Sequence, residues 1–221
     1  MNNPPIKVDI WSDIACPWCY IGKRRFEEGS RRFTAETGRA VDVEYHSFEL
    51  APDTPVDFDG SQADFLTRFK GIPPEQIQQM LTRITGIAAS VGLSYDFDRL
   101  QHTKTALAHQ ALHFAKAHGR QLELKERLLK AYFEEGRHVG RVEELAALGA
   151  EVGLDADELA EALRQDRHAD DVAADIEQAA AYGISGVPFF VLDDTYGISG
   201  AQESPTFTAA LRQAMEGRPQ A

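Results

Sequence analysis

The run Ser12-Asp13-Ile14-Ala15-Cys16-Pro17-Trp18-Cys19-Tyr20 holds both cysteines of the chain, directly after an apolar strand-like stretch and directly before a helix-like one. On a helix, residues i and i+3 share a face with Cβ atoms roughly 5–6 Å apart, and small rotamer changes bring such a pair within disulfide reach. The spacing predicts a dithiol that can open and close. Cys16 is expected at the helix start, where unpaired N–H groups and the macrodipole favour an anion. A depressed pKa would make it the nucleophile of the pair. Cys19, one turn further in, is expected to be more shielded and to act as the resolving thiol.

Two other uses of paired cysteines fit less well. A structural disulfide across two residues would staple almost nothing, because its stabilisation grows with the loop it closes. A closed zinc site wants a second Cys-x-x-Cys or a histidine pair at matching spacing. The chain has no further cysteine, and His109 and His113, though four apart, lie on a distant helix-like segment. No metal site is therefore expected.

The balance of the chain narrows the partners. A formal charge of −12 and a sequence pI near 5.0 argue against general nucleic-acid or anionic-membrane binding. No segment approaches the length of a membrane span. The start, Met1-Asn2-Asn3-Pro4-Pro5-Ile6-Lys7, lacks a basic region followed by an apolar stretch. A cytoplasmic location is the expectation, and that compartment favours a catalytic or redox-sensing pair over a structural bridge.

Along the chain, Lys7 to Trp11 reads as a strand, and Pro17 to Thr37 as a helix with Pro17 in its first turn and Gly38 at its exit. Gly22 and Gly29 weaken that helix locally. Val41 to His46 alternates as a second strand. His46 on it is expected to be a surface or satisfied core residue rather than a catalytic base. Leu50 to Gly60 is a Pro- and Asp-rich loop. Helical periodicity follows over Ile77–Val91, His102–Ala117, Leu122–Phe133 and Val142–Val152. Two further helices are read around Leu159 and Leu163, where Asp155 offers an N-cap, and over Val172–Ala180. Phe189–Leu192 and Tyr196–Gly200 read as two short strands joined at Asp193-Asp194-Thr195. Because Asp-Asp is not the preferred Asp-Gly, a loose turn is expected there. Ser204-Pro205 is expected to cap a last helix closed by Gly217.

Assembled, these elements give strand–helix–strand, a helical stretch, then helix–strand–strand–helix. The expected fold is α/β: a mixed four-strand sheet with a large all-helical insertion after the second strand. Residues 1–60 and 170–221 would form one discontinuous domain, and 61–169 a helical subdomain packed over it as a lid.

A second block completes the sequence evidence. Cys16-Pro17-Trp18-Cys19-Tyr20-Ile21-Gly22-Lys23-Arg24-Arg25 and Gly186-Val187-Pro188-Phe189-Phe190 together resemble the thioredoxin-fold DsbA-type oxidoreductases, in particular their FrnE-like branch. Weaker landmarks spread the resemblance over nearly the whole chain: Phe48–Pro52, Lys104-Thr105 with Ala108-His109, Ala131–Gly136 and Ser199–Gln202. The resemblance implies a cis proline at Pro188 beside the redox pair. It also implies that Val187 offers its backbone to an extended substrate, a short strand-pairing contact, and that Pro17 and Trp18 adjoin the substrate. The family usually has Asn-Thr where this chain has Lys104-Thr105. If that lysine reached the pocket, it would favour a thiolate or an anionic substrate.

The implied activity is exchange of the Cys16–Cys19 dithiol or disulfide with thiols or disulfides of proteins or small molecules, through a mixed disulfide. No bound cofactor is called for, and glutathione is a candidate redox partner. Trp18 lacks the cationic handle of a histidine, and Asp13 is an unfavourable charge if it faces the thiolate. Both point to a less acidic thiol than in Pro-His enzymes. Two rivals remain: a glutathione-dependent isomerase or transferase of the 2-hydroxychromene-2-carboxylate isomerase or kappa type, and a polypeptide-binding chaperone with an apolar cleft near Trp18 and Phe189. The isomerase-type relatives typically carry serine where Cys16 stands.

Overall fold

The computed structural model describes residues 4–217. The outer ends of the expected discontinuous domain, 1–3 and 218–221, lie outside the described residues. The first strand, β1 (Ile6–Ser12), runs into α1 (Pro17–Thr37) and then β2 (Val41–Ser47). Seven helices follow: α2 (Gln62–Lys70), α3 (Pro74–Ser90), α4 (Ala106–Ala117), α5 (Gln121–Phe133), α6 (Val142–Glu151), α7 (Ala156–Arg164) and α8 (Ala169–Ala181). The chain returns through β3 (Phe189–Leu192), β4 (Tyr196–Ser199) and α9 (Ser204–Glu216). The four strands form one sheet in the order β2-β1-β3-β4, with β1 and β2 parallel and the other neighbours antiparallel. This is the mixed sheet with a helical insertion that the pattern predicts.

β1 is central and covered on both faces. Ile6, Val8 and Ile10 join Phe26 and Phe33 of α1, Phe190 of β3, and Phe207 and Leu211 of α9 in one buried cluster. Of the alternate residues in this strand Lys7 is exposed, but the rest are not solvated as simple alternation would have it. Asp9 and Trp11 are buried too, because α8 covers that face: the Trp11 indole N–H donates to the Asp175 carbonyl at 3.0 Å. The largest apolar cluster links Ile14 of the β1–α1 turn and Tyr20 and Ile21 at the start of α1 to Leu112, Leu128, Tyr132 and Leu145 of the inserted helices. The start of α1 is thus packed into the insertion's own core.

The two glycines that weaken α1 sit where other segments press against it. A Cβ on Gly29 would lie 2.7 Å from the Ser204 carbonyl and 2.8 Å from Phe207 Cβ, so Gly29 admits α9. A Cβ on Gly22 would lie 2.9 Å from Pro188 Cγ. Gly38 ends α1 at φ 70°, donating its N–H to the Thr34 carbonyl at 2.8 Å.

Several boundaries differ from the periodicity reading. α2 is a separate helix, closed by a Ser61/Asp64 capping box in which each side chain holds the other's backbone N–H. The helix expected from His102 begins only at Ala106. The Thr103 hydroxyl donates to the Val56 carbonyl at 2.7 Å and ties His102–Thr105 to the preceding loop in non-helical form. Asp155 does cap α7, accepting from Glu158 N at 2.9 Å. Ser204 does not cap α9: Glu203 occupies the N-cap without a side-chain bond, and Ser204 is the first helical residue. The β3–β4 connection has three residues, with Asp193 and Asp194 both at positive φ (48° and 53°). Asp tolerates that left-handed region better than most residues.

Candidate active site

Cys16 is the N-cap of α1, in extended conformation (φ −92°, ψ 112°), and Pro17 follows in the first turn. The first turn closes between them and Cys19, whose N–H donates to the Cys16 carbonyl at 3.0 Å. Tyr95 fixes the turn from the insertion, its hydroxyl donating to the Pro17 carbonyl at 2.7 Å. Both thiols are free. Against expectation, exposure does not distinguish them: each is 3 % exposed. The difference lies in direction. Cys16 lines a cavity of about 330 Å³, and Cys19 is not among its walls.

That cavity is formed between the cysteine turn, the Leu50-Ala51 segment and helices α2 and α3. Phe65, Leu66, Met80, Leu81, Ile84 and Phe97 make it mostly apolar, with Lys70 and His102 among its polar members. Trp18, 37 % exposed, stands on its wall next to Cys16 and Pro17. Phe189 does not share this cavity; it packs against the Trp11 cluster, which splits the apolar cleft expected around Trp18 and Phe189. Lys104 is also outside it, half-buried with its charge acting on Glu49, whereas its neighbours Thr103 and Thr105 line the wall.

The distant block from the end of the chain meets the cysteine turn. The Cys16 thiol donates to the Val187 carbonyl across 3.6 Å, and Val187 and Gly186 line the cavity. The Val187–Pro188 bond is cis, as the resemblance implies. Pro188 is held from both sides: its ring rests against Gly22, and its carbonyl accepts from Gly200 N at 2.8 Å. Arg25 of α1 extends the clamp by donating to the Ala201 carbonyl at 2.7 Å and pairing with Glu203.

Beneath the thiols lies a polar layer. Asp13 is buried, with Oδ2 accepting from Leu50 N at 2.9 Å and Oδ1 facing His109 Nε2 at 3.3 Å. Burial opposes its charge, but His109 and the Leu50 N–H outweigh that and hold the carboxyl below its ordinary value. The two sulfurs compete for one negative charge. Hydrogen bonding with Cys19 and burial push Cys16 well up, and the Asp13 charge adds a smaller push. Burial also opposes ionisation of Cys19, yet the Cys16 thiol, the Lys125 ammonium and the Ser12 hydroxyl together pull Cys19 down. The depressed pKa expected for Cys16 is therefore found on its partner. The helix end offers Cys16 one N–H, whereas the fixed cation sits on the Cys19 side.

Lys125 and Ser12 were not read from the sequence as site residues. A signal for Lys125 was present: Leu124, Lys125, Leu128, Leu129 and Tyr132 form the fully buried stripe of α5, so a lysine occupies a core position. His46, by contrast, is a half-buried, satisfied group rather than a base, as expected. Its Nδ1 lies 2.7 Å from Asp175 and its Nε2 2.9 Å from Asp9. Among the described residues, Asp9, Glu44 and His46 also bring one metal-type ligand atom each within 4.8 Å of the others. Both His46 nitrogens already face carboxylates, and the Lys7 ammonium lies 3.0 Å from Asp9, so the cluster is an ion-pair network.

A thioredoxin-like sheet with a dithiol on its first helix and a cis proline against it defines a thiol–disulfide oxidoreductase architecture. The chain belongs to the DSBA-like thioredoxin domain family, whose model matches residues 7–212. It is similar over 98% of its length to a probable DsbA oxidoreductase from Streptomyces coelicolor, with 41% identity, 92% of that chain covered and a TM-score of 0.89. The uncharacterized protein YwbO of Bacillus subtilis is 29% identical over 93% of this chain and 96% of its own. At lower identity the fold is shared with the cytosolic disulfide reductase DsbM from Pseudomonas aeruginosa in complex with glutathione (19%, TM-score 0.64, 95% and 99% covered). A 2-hydroxychromene-2-carboxylate isomerase shares it as well (16%, TM-score 0.68, 95% and 94% covered). Among the described residues no helix is long and apolar enough to cross a membrane.

Proposed function

We propose that the protein exchanges its Cys16–Cys19 pair with a substrate thiol or disulfide through a mixed disulfide on Cys16. The observation that supports this most directly is the division of the pair: Cys16 faces the cavity and the Val187 carbonyl, and Cys19 faces the polar layer behind it. When a disulfide enters, Cys16 gives up its proton and its thiolate attacks the nearer substrate sulfur; the substrate S–S bond breaks and its far half leaves as a thiolate that takes up a proton. Cys19 then loses its proton and attacks Cys16 Sγ, breaking the mixed disulfide, closing the protein disulfide and releasing the second half of the substrate as a thiol. Oxidation of a substrate dithiol is the same sequence reversed.

The cavity favours a sulfur carried on an apolar group, either a small molecule or one side chain of a polypeptide. Val187 is suited to hold an extended backbone by strand-type hydrogen bonds, and Pro17, Trp18 and Pro188 frame the sulfur. Glutathione is the redox partner we favour, in a reducing cytoplasmic setting.

The test is a pair of single substitutions assayed with a disulfide substrate and glutathione buffers. Cys16→Ser is expected to abolish exchange, and Cys19→Ser to strand a mixed disulfide that appears as a shifted band on non-reducing electrophoresis. Equal turnover by both variants and the parent would exclude the dithiol mechanism. Glutathione-dependent isomerisation that survives Cys19→Ser would favour the isomerase reading. Polypeptide binding that survives loss of both thiols would favour a chaperone.

A further inference from the structure

The wall of the cavity beside Cys16 is mostly apolar, and two of its polar members are donors with capacity to spare. His102 lines it and is 4 % exposed. Its Nδ1 is held from behind the wall by the Tyr132 hydroxyl at 2.9 Å, with the Gln62 amide 3.2 Å away. Tyr132 is fully buried, and that nitrogen is the one partner of its hydroxyl among the described residues. The hydroxyl therefore donates, and the His102 proton sits across the ring on Nε2. Nε2 has no partner among the described residues. Burial keeps the ring neutral, with its pKa pushed down to about 4, and the Lys70 charge lies near enough to push the same way.

Lys70 is the second donor. Its ammonium donates to the Leu50 carbonyl at 2.9 Å, on a segment that also lines the cavity, and it pairs with no carboxylate among the described residues. Asp13, the one acid in the wall among the described residues, is already engaged by His109 and the Leu50 N–H. The wall thus presents an N–H and a positive charge to whatever enters. The space, about 330 Å³, is roughly twice an apolar cavity that takes up benzene, so it suits a ring with short substituents. No natural side chain joins a ring-sized apolar body to a carboxylate, and this argues for a small molecule over a polypeptide.

We propose that the cavity selects a small organic thiol, or its disulfide, whose sulfur is carried on an aromatic or branched apolar body ending in a carboxylate. The sulfur meets Cys16, the body lies between the cysteine turn and helices α2 and α3, and the carboxylate accepts from His102 Nε2 and the Lys70 ammonium. This names the substrate class of the dithiol reading given above and rests on it. An ionised acceptor is favoured over a neutral one because charge-assisted hydrogen bonds are roughly twice as strong.

The probe is 4-(methylthio)benzoate, in which a thioether replaces the reactive sulfur, so that binding needs no exchange. In titration calorimetry it is expected to bind about tenfold or more tighter than 4-(methylthio)benzyl alcohol, which has the same body without the charge. Lys70→Glu, at an exposed position, should weaken the acid about tenfold or more and leave the alcohol nearly unchanged. His102→Phe keeps a ring against Phe65 but removes the N–H, and should weaken the acid about tenfold. His102→Gln, which retains a donor, should recover part of that loss. Where His102→Phe fails to fold, Lys70→Glu decides alone. Equal affinity for acid and alcohol overturns the proposal, as does binding of neither, or an acid affinity that Lys70→Glu leaves in place. Exchange with a cystine peptide while neither probe binds would sink this ligand class and leave the dithiol reading standing. Selective acid binding by a protein that exchanges nothing would do the reverse.

Discussion

Two buried polar clusters branch from β1, and they are built on opposite principles. Around Asp9, the partners are complete: Asp175 accepts from Ser47 N at 2.7 Å and faces His46 at 2.7 Å and His113 at 3.0 Å, while Asp9 takes the other His46 nitrogen and Lys7. Around Ser12 and Asp13, three polar atoms are left over: Ser12 Oγ, His109 Nδ1 and Lys125 Nζ. Buried polar groups are nearly always paired, so orphans concentrated under a reactive pair carry information that the pairs do not. The first cluster ties α4 and α8 to the sheet. The second lies behind the Cys16–Cys19 pair.

The sharpest way to break this contrast is to disturb the complete cluster and watch the incomplete one. Asp175→Ala leaves two histidines and a backbone N–H without their acceptor. Removing one member of a buried charged network typically costs about 3–5 kcal/mol, and urea unfolding should show a loss of that order. The Cys19 titration should stay where it is. A Cys19 midpoint that moved with Asp175 would mean the two clusters are one electrostatic unit and the comparison fails.

A smaller effect tests the same cluster by pH. Burial disfavours a charged His46, but Asp175 and Asp9 outweigh it and raise its pKa to about 9. A raised folded pKa stabilises fully below the unfolded value of about 6.5, and the contribution fades as pH rises through about 9. The shift corresponds to something on the order of 3 kcal/mol. Unfolding free energies of the parent and His46→Gln, compared at about pH 6 and about pH 9.5, should converge at the higher pH. Other alkaline groups, Lys125 among them, titrate in both proteins and cancel in the difference. A gap that persists at high pH would show that His46 acts by packing against Trp11, whose ring it stacks on at 4.5 Å, rather than by charge.

The two clusters also differ in how far they could be read from the chain. The cysteine turn, the four strands and the reading of His46 as a satisfied residue rather than a base followed from spacing and alternation, which are local signals; the strand order did not. Pro188 came from resemblance, because nothing in its own neighbourhood separates a functional proline from a strand-entry one. The cavity was not legible: its walls come from α2 and α3, and the pattern gave α2 no separate identity. His102 reaches that wall from a stretch that reads as helix, held open by the Thr103–Val56 bond across 47 positions. Lys125 was missed for another reason. Helical periodicity marks a lysine as solvent-facing by default, and only the unbroken apolar stripe around it says otherwise. The two thiols shift in the directions opposite to the helix-end expectation because their mutual hydrogen bond and burial, with the Lys125 charge adding to them on Cys19, come from packing that the sequence does not display.

The smallest expected change falls on the clamp that both the helix and the proline loop share. In a helix interior, alanine is favoured over glycine by about 1 kcal/mol. At Gly22 the added methyl would meet Pro188 Cγ at 2.9 Å and Ala201 Cβ at 3.3 Å, and such overpacking typically costs about 1–3 kcal/mol. The two effects oppose, so Gly22→Ala should shift stability by no more than about 2 kcal/mol in unfolding measurements. Its effect on exchange should be the larger one. Pro188 is braced by Gly200, and Val187, next along the chain, carries the carbonyl that faces Cys16, so a displaced ring moves the edge proposed to meet the substrate. A several-fold slower first exchange step is expected, with the Cys19 titration and the rate of resolution unchanged. That outcome would separate the two faces of the pair by a single methyl group: substrate approach on the Cys16 side, proton loss on the Cys19 side. Equal slowing of both steps would instead mean that α1 moves as a whole, carrying both sulfurs with it.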